Sequence, residues 1–186
     1  MFAGAESYTK PLTEANDWLP DYSAIPTNVA DKAKIMWLNY PNNPTGGLGT
    51  TELFEEGVSF AKKDEIAVCH DACYSEVTFD GYVAPSFLQT DGAKDVGIEF
   101  HSLSKTYNMT GWRIGMAVGN RSLIDALVRV KSNLDSGIPQ AVQYMGSEAL
   151  DNTTSDWQAA INEIYRRRRD RVGRDPVLCR DGWPRF

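Results

Sequence analysis

The chain has 186 residues, 42% of them hydrophobic and 24% charged, with a formal net charge of -6. Those proportions describe an ordinary globular chain and argue against a broad phosphate-backbone surface, which would need clustered positive charge. Three cysteines, an odd and small number, speak against a disulfide framework and for a reducing compartment, so the expected location is the cytoplasm.

Residues 1–28 are broken by Pro, Asp and Asn and read as an extended or irregular lead-in. "AKIMWLNY" (33–40) is a short apolar run stopped by Pro41, the pattern of a buried strand. "TTELFEEGVSFAKKD" follows as an amphipathic helix, capped by Thr50 or Thr51, with Phe54, Val58 and Ala61 at helical spacing. Three further strands are expected at "EIAVCHD" (65–71), "DVGIEFHSL" (95–103) and "WRIGMAVG" (112–119). Helices are then expected at 122–134, from Pro139 to Leu150, and through "DWQAAINEIYRRRRDRV".

Strands alternating with helices predict an α/β fold, a three-layer, mainly parallel sheet covered by helices. Four strands are few for such a sheet, so the chain reads as part of a larger domain. Residues 29–151 are expected to form a partial large domain, and residues 152–186 a helix and a poorly matched tail leading toward a small domain beyond the chain. The tail "GRDPVLCRDGWPRF" fits neither period, and the basic run "RRRRDR" (166–171) reads as a solvated helix face rather than a nucleic-acid patch. No apolar run reaches the 18 residues of a membrane span, so no membrane partner is expected.

In open parallel sheets ligands sit beyond the carboxyl ends of the strands. Those ends read "YPNNPTG", "HDACY" and "HSLSK", followed by "TGWRIG". They collect Asn43, Asp71, Tyr74, Ser102, Ser104, Lys105 and Arg113. Pyridoxal 5'-phosphate needs such an inventory. Lys105 supplies the amine that condenses with the aldehyde. Asp71 supplies a carboxylate to keep the pyridine nitrogen protonated, Tyr74 and Asn43 donate to the ring oxygen, and Ser102, Ser104 and Arg113 suit the phosphate. Gly111 and Gly115 leave room for backbone approach around Arg113. Ser104 could equally point the other way, since neighbours on a strand alternate.

These three segments together resemble the class I/II aminotransferases of the type I fold of pyridoxal-phosphate enzymes. The likeness over 35–150 is greatest to members that act on LL-diaminopimelate and to alanine-type relatives. It implies transfer of an amino group from an amino acid, LL-2,6-diaminopimelate by the nearest likeness, to a 2-oxo acid such as 2-oxoglutarate. It implies Lys105 as Schiff-base lysine and proton carrier, a homodimer in the full-length parent, and a cis Asn43–Pro44 bond. Two alternatives stay open: a carbon–sulfur lyase of the same fold, and a non-catalytic cofactor-binding piece. The family's early glycine-rich phosphate turn and ring-stacking aromatic have no match in residues 1–30. Its late carboxylate-gripping arginine lies beyond this chain, and Arg185 is no substitute. The polar break 131–140 is either a plain loop or a segment that reaches a partner subunit's site.

"CHDAC" puts Cys69, Asp71 and Cys73 on one face of an extended strand, too few for a closed four-ligand zinc site, so no metal is expected. The cysteines read as small buried hydrophobes and His70 and His101 as packed, hydrogen-bonded histidines.

Overall fold

Three apolar runs pair side by side because each has a continuous backbone edge and a side-chain face to bury. The computed structural model describes residues 4–172. Its elements are α1 (Thr27–Ala30), β1 (Ile35–Asn39), α2 (Thr51–Lys63), β2 (Ala67–Asp71), α3 (Ala93–Val96), β3 (Gly97–Ser102), α4 (Leu103–Thr106), β4 (Gly115–Gly119), α5 (Arg121–Leu134), α6 (Gln140–Asn152) and α7 (Ser155–Val172). The sheet order is β1-β2-β3-β4. β1, β2 and β3 run parallel, and β4 returns antiparallel to β3. The fold is therefore a mostly parallel sheet with helices.

The expected strand limits shift at two places. Asp95 and Val96 end α3, and the strand starts at Gly97. Trp112 closes a 3-10 turn and Arg113 is left-handed (φ 53°), so β4 starts only at Gly115. A left-handed residue cannot continue a strand, and period-2 spacing alone does not reveal it. Gly97 is small because Phe87 lies on it: a Cβ there would sit 2.9 Å from the Val68 carbonyl oxygen and from Phe87 Cζ.

Helix α2 crosses from β1 to β2. Thr50, not Thr51, caps it, accepting from the Leu53 amide at 3.2 Å. Glu52 in the first turn and Lys62 and Lys63 in the last suit the helix dipole. Phe54, Val58 and Ala61 are buried with Leu38 and Val68 in the core. The lead-in docks as well as leads: Tyr22 is buried and stacks on Phe60 at 5.7 Å.

Helix α7 is fastened to the loops after β2 and α4. Gln158 and Asn162 donate to the Glu76 carbonyl at 3.0 and 2.8 Å, Tyr165 donates to Asn108 at 2.8 Å, and Trp157 stacks on Tyr107 at 6.1 Å. Its basic run is largely paired with acids: Arg166 and Arg167 on Glu163, Arg166 on Asp170, and Arg169 on Asp80 and Asp170. The tail 173–186, with Cys179 and Arg185, lies outside the described residues. No helix among the described residues is long and apolar enough to cross a membrane.

The sheet face bearing Ile35 and Trp37 keeps both side chains open, at 57% and 65% exposure. Val128, Val130 and Leu134 on α5 and Tyr144 on α6 are also exposed.

Phe54 is 1% exposed and packs edge-on to Phe87 and His70, at 5.8 and 4.8 Å. Phe54→Ala is expected to destabilise the chain by about 3–5 kcal/mol, read as a lower midpoint in urea unfolding followed by circular dichroism.

Candidate functional site

The site begins with strand ends that stop at polar residues. At the end of β1, Asn39 donates to the Asp71 carbonyl at 2.9 Å, and its Oδ1 accepts from the Asn43 amide at 2.8 Å. One side chain thus ties β1 to β2 and sets the following loop. That loop holds two cis bonds, Tyr40–Pro41 and Asn43–Pro44, the second as expected. It brings Asn43 Nδ2 to 3.2 Å from the Tyr74 hydroxyl, so an amide and a phenol 31 residues apart share one spot.

At the end of β2, Asp71 turns the chain by accepting from the Cys73 amide at 3.2 Å. Cys73 does not behave as a small buried hydrophobe. It is half-buried and lies close enough to Asp71, Ser102 and Lys105 for all three to act on its thiol. Burial pushes that thiol up to about 12, with Asp71 adding to the rise and Ser102 and Lys105 opposing it. Cys73 therefore marks where carboxylate, hydroxyl and amine meet. Among the described residues no three His, Cys, Asp or Glu side chains are placed to hold a metal ion.

At the end of β3, Ser102 caps α4 by accepting from the Ser104 amide at 3.1 Å. That short helix carries Lys105, whose Nζ lies 5.7 Å from the centroid of the Tyr74 ring. Ser104 is buried and joins through its backbone: its amide meets Ser102, and its carbonyl accepts from Thr110 at 3.1 Å. The chain then turns back, and Ser102 pairs with Gly115 across β3 and β4. Arg113 stands exposed in that turn and donates to the Thr110 carbonyl at 3.1 Å. Gly115 is demanded by strand pairing, since a Cβ would lie 2.6 Å from the His101 carbonyl oxygen, whereas Gly111 faces open space.

Asn43, Asp71, Tyr74, Ser102 and Lys105 thus gather at one end of the sheet, with Arg113 at its rim. Asn39 joins them without having been singled out in the sequence, and so does Cys73, which the sequence offered only as a small buried hydrophobe. Asn39 ends an apolar run and looks like a plain strand terminator. Cys73 has a site role only through a turn that no periodicity encodes. A carboxylate, a phenol, an amide, a hydroxyl and an amine gathered at these strand ends match the donor set that pyridoxal phosphate requires.

The model of aminotransferase class I and II matches residues 2–174. The chain belongs to that family. It is 60% identical over 175 residues to the LL-diaminopimelate aminotransferase of Dehalococcoides mccartyi, a match covering 92% of this chain and 44% of the relative. Against that of Moorella thermoacetica the identity is 56% over 170 residues, covering 91% and 43%. Among solved structures it is similar to substrate-bound BacF from Bacillus subtilis, with a TM-score of 0.89, 39% identity, and 96% of this chain against 44% of that one. The probable N-succinyldiaminopimelate aminotransferase of Thermus thermophilus superposes with a TM-score of 0.86 at 37% identity, covering 92% and 45%. The chain spans less than half the length of these relatives.

Behind the site, on the opposite sheet face, lies a second polar cluster. His70 Nδ1 is 2.9 Å from Glu99 Oε2, and His101 Nε2 is 2.8 Å from Glu99 Oε1. Ser86 and the Phe87 amide donate to the same carboxylate at 2.9 and 2.7 Å. Burial pushes the Glu99 carboxyl up, but the hydrogen bonds from His101 and His70 prevail and hold it well below its ordinary 4.5. The Glu99 hydrogen bond in turn raises His101 above 6.5. The histidines are indeed hydrogen-bonded, His70 fully buried and His101 partly open.

The signs follow from linkage. A depressed carboxyl contributes stability that is full above its unfolded value and fades as pH falls through the folded one. The raised His101 contributes below 6.5 and loses that contribution as pH rises through its folded value. Glu99→Gln should therefore flatten the loss of stability between about pH 5 and about pH 3, measured by urea unfolding across that range.

Proposed function

We propose that this chain supplies the cofactor-binding core of an LL-diaminopimelate aminotransferase. The donor would be LL-2,6-diaminopimelate and the acceptor a 2-oxo acid such as 2-oxoglutarate. The observation that carries the reading is Lys105 Nζ standing 5.7 Å from the ring centroid of Tyr74, whose hydroxyl Asn43 holds, beside the turn that Asp71 fixes. The substrate assignment is supported by the names of the relatives at 56–60% identity.

Pyridoxal phosphate, when bound, supplies an electron sink for the negative charge left when the substrate Cα loses its proton. Lys105 would hold the cofactor through its amine, and the same amine would be the base that takes the proton from Cα. Asp71, fixed at its Oδ1 by the Cys73 amide, offers its charge to a protonated ring nitrogen. Tyr74 and Asn43 hold the ring oxygen, and Ser102 and Arg113 take the phosphate, with the Ser104 amide on Ser102 Oγ setting that hydroxyl's direction. The parent works as a homodimer in the cytoplasm, where Cys69 and Cys73 stay reduced. The lyase alternative has no relative among those compared above to support it.

Titration of the purified chain with pyridoxal phosphate, borohydride reduction and mass spectrometry test this reading. An adduct on Lys105, absent in Lys105→Ala, is expected, and Asp71→Asn should weaken cofactor affinity by on the order of tenfold or more. A folded chain without any Lys105 adduct would leave only common ancestry. Glutamate formed from LL-2,6-diaminopimelate and 2-oxoglutarate separates transfer from a lyase, which would release pyruvate from a β-substituted amino acid.

A further inference from the structure

The Glu99 cluster is more than a satisfied buried charge. Its carboxylate accepts from one residue behind Asp71 on β2, from one residue before Ser102 on β3, and from the Ser86–Phe87 segment. His70 extends the cluster to a third strand end, because its Nε2 lies 3.2 Å from the Tyr40 carbonyl, just before the loop that carries Asn43. Every strand end that contributes to the site is therefore tied from behind to one side chain.

The proton inventory makes these ties directional. A carbonyl oxygen can only accept, so His70 Nε2 carries a proton toward Tyr40. Glu99 receives the Phe87 amide and the Ser86 hydroxyl besides both imidazoles, and those donors suit an ionised carboxylate. The His70 ring therefore bridges Glu99 at Nδ1 and Tyr40 at Nε2. The other charged group that acts on the cluster is Glu76, which adds to the field on His101. The rings of Phe54 and Phe87 lie 4.8 and 6.3 Å from that of His70 and keep it in one orientation.

We propose that Glu99 is a positioning residue for cofactor binding, which sets Asp71, Ser102 and the Asn43 loop through His70 and His101. This rests on the functional reading above. The adjacency is through the backbone: His70 and Asp71 point to opposite faces of β2, as do His101 and Ser102 on β3. Rotation of either imidazole thus re-aims the site residue beside it.

The chain has only two histidines, both on Glu99, so long-range nitrogen–proton NMR of the imidazoles reports the cluster directly. In Glu99→Gln the ring-nitrogen signals of both His70 and His101 are expected to move, because each ring bonds this carboxylate. Pyridoxal-phosphate titration of the same samples should show affinity lowered by on the order of tenfold, with the borohydride-fixed adduct still on Lys105. If Glu99→Gln does not fold, His101→Gln carries the same titration, because that ring is partly exposed. An unchanged affinity in the folded variant, or imidazole signals that do not move in Glu99→Gln, overturns this inference alone. A folded wild-type chain with no Lys105 adduct overturns the functional reading, and the inference with it.

Discussion

A carboxylate buried between parallel strands is costly unless its oxygens are fully used. Glu99 meets that condition with donors from His70, His101, Ser86 and the Phe87 amide. The arrangement depends on geometry that the backbone already provides. Parallel pairing sets His70 beside Glu99, and Gly97 lets Phe87 close down on the sheet. Apolar packing of Phe54 and Phe87 then keeps water from the buried imidazole–carboxylate contact. Core and polar cluster are thus one object: the aromatic rings make the charge network dry, and the network fixes the rings' neighbours.

The site lies on the other face of that object. Asn39 plays toward solvent the part that Glu99 plays toward the core, bridging β1, β2 and the loop after β1. A sheet held from both sides at its carboxyl end presents short, fixed strand termini. Such termini are where a rigid cofactor can be met by groups from distant parts of the sequence.

Much of this was legible from residues alone. The strand-ending polar residues named the site because apolar runs locate strands and parallel sheets locate ligands at their ends. Lys105 was legible from its company of serines, glycines and an arginine. Other features were not. Nothing in "WRIGMAVG" states that its strand runs antiparallel, because alternation is blind to direction. Glu99 sits within an apolar run as a single acid, and its partners lie 29 and 13 residues away in His70 and Ser86. Trp37 is apolar and in a strand, yet largely exposed. It stacks on Phe100, and the rest of its ring is left open by the described residues.

The reversal at β4 has a consequence for motion. Because Ser102 and Gly115 pair across the sheet, everything between them is one closed excursion, clasped at its neck by the Leu103 amide on the Ile114 carbonyl at 3.2 Å. Lys105 and Arg113 belong to that single excursion, whereas Asp71 ends β2 and Tyr74 lies in the segment after it. Local opening in proteins follows such contiguous units. Amide hydrogens from 103 to 114 should therefore exchange together, on a clock of their own, with the lysine and the arginine leaving and returning as a pair.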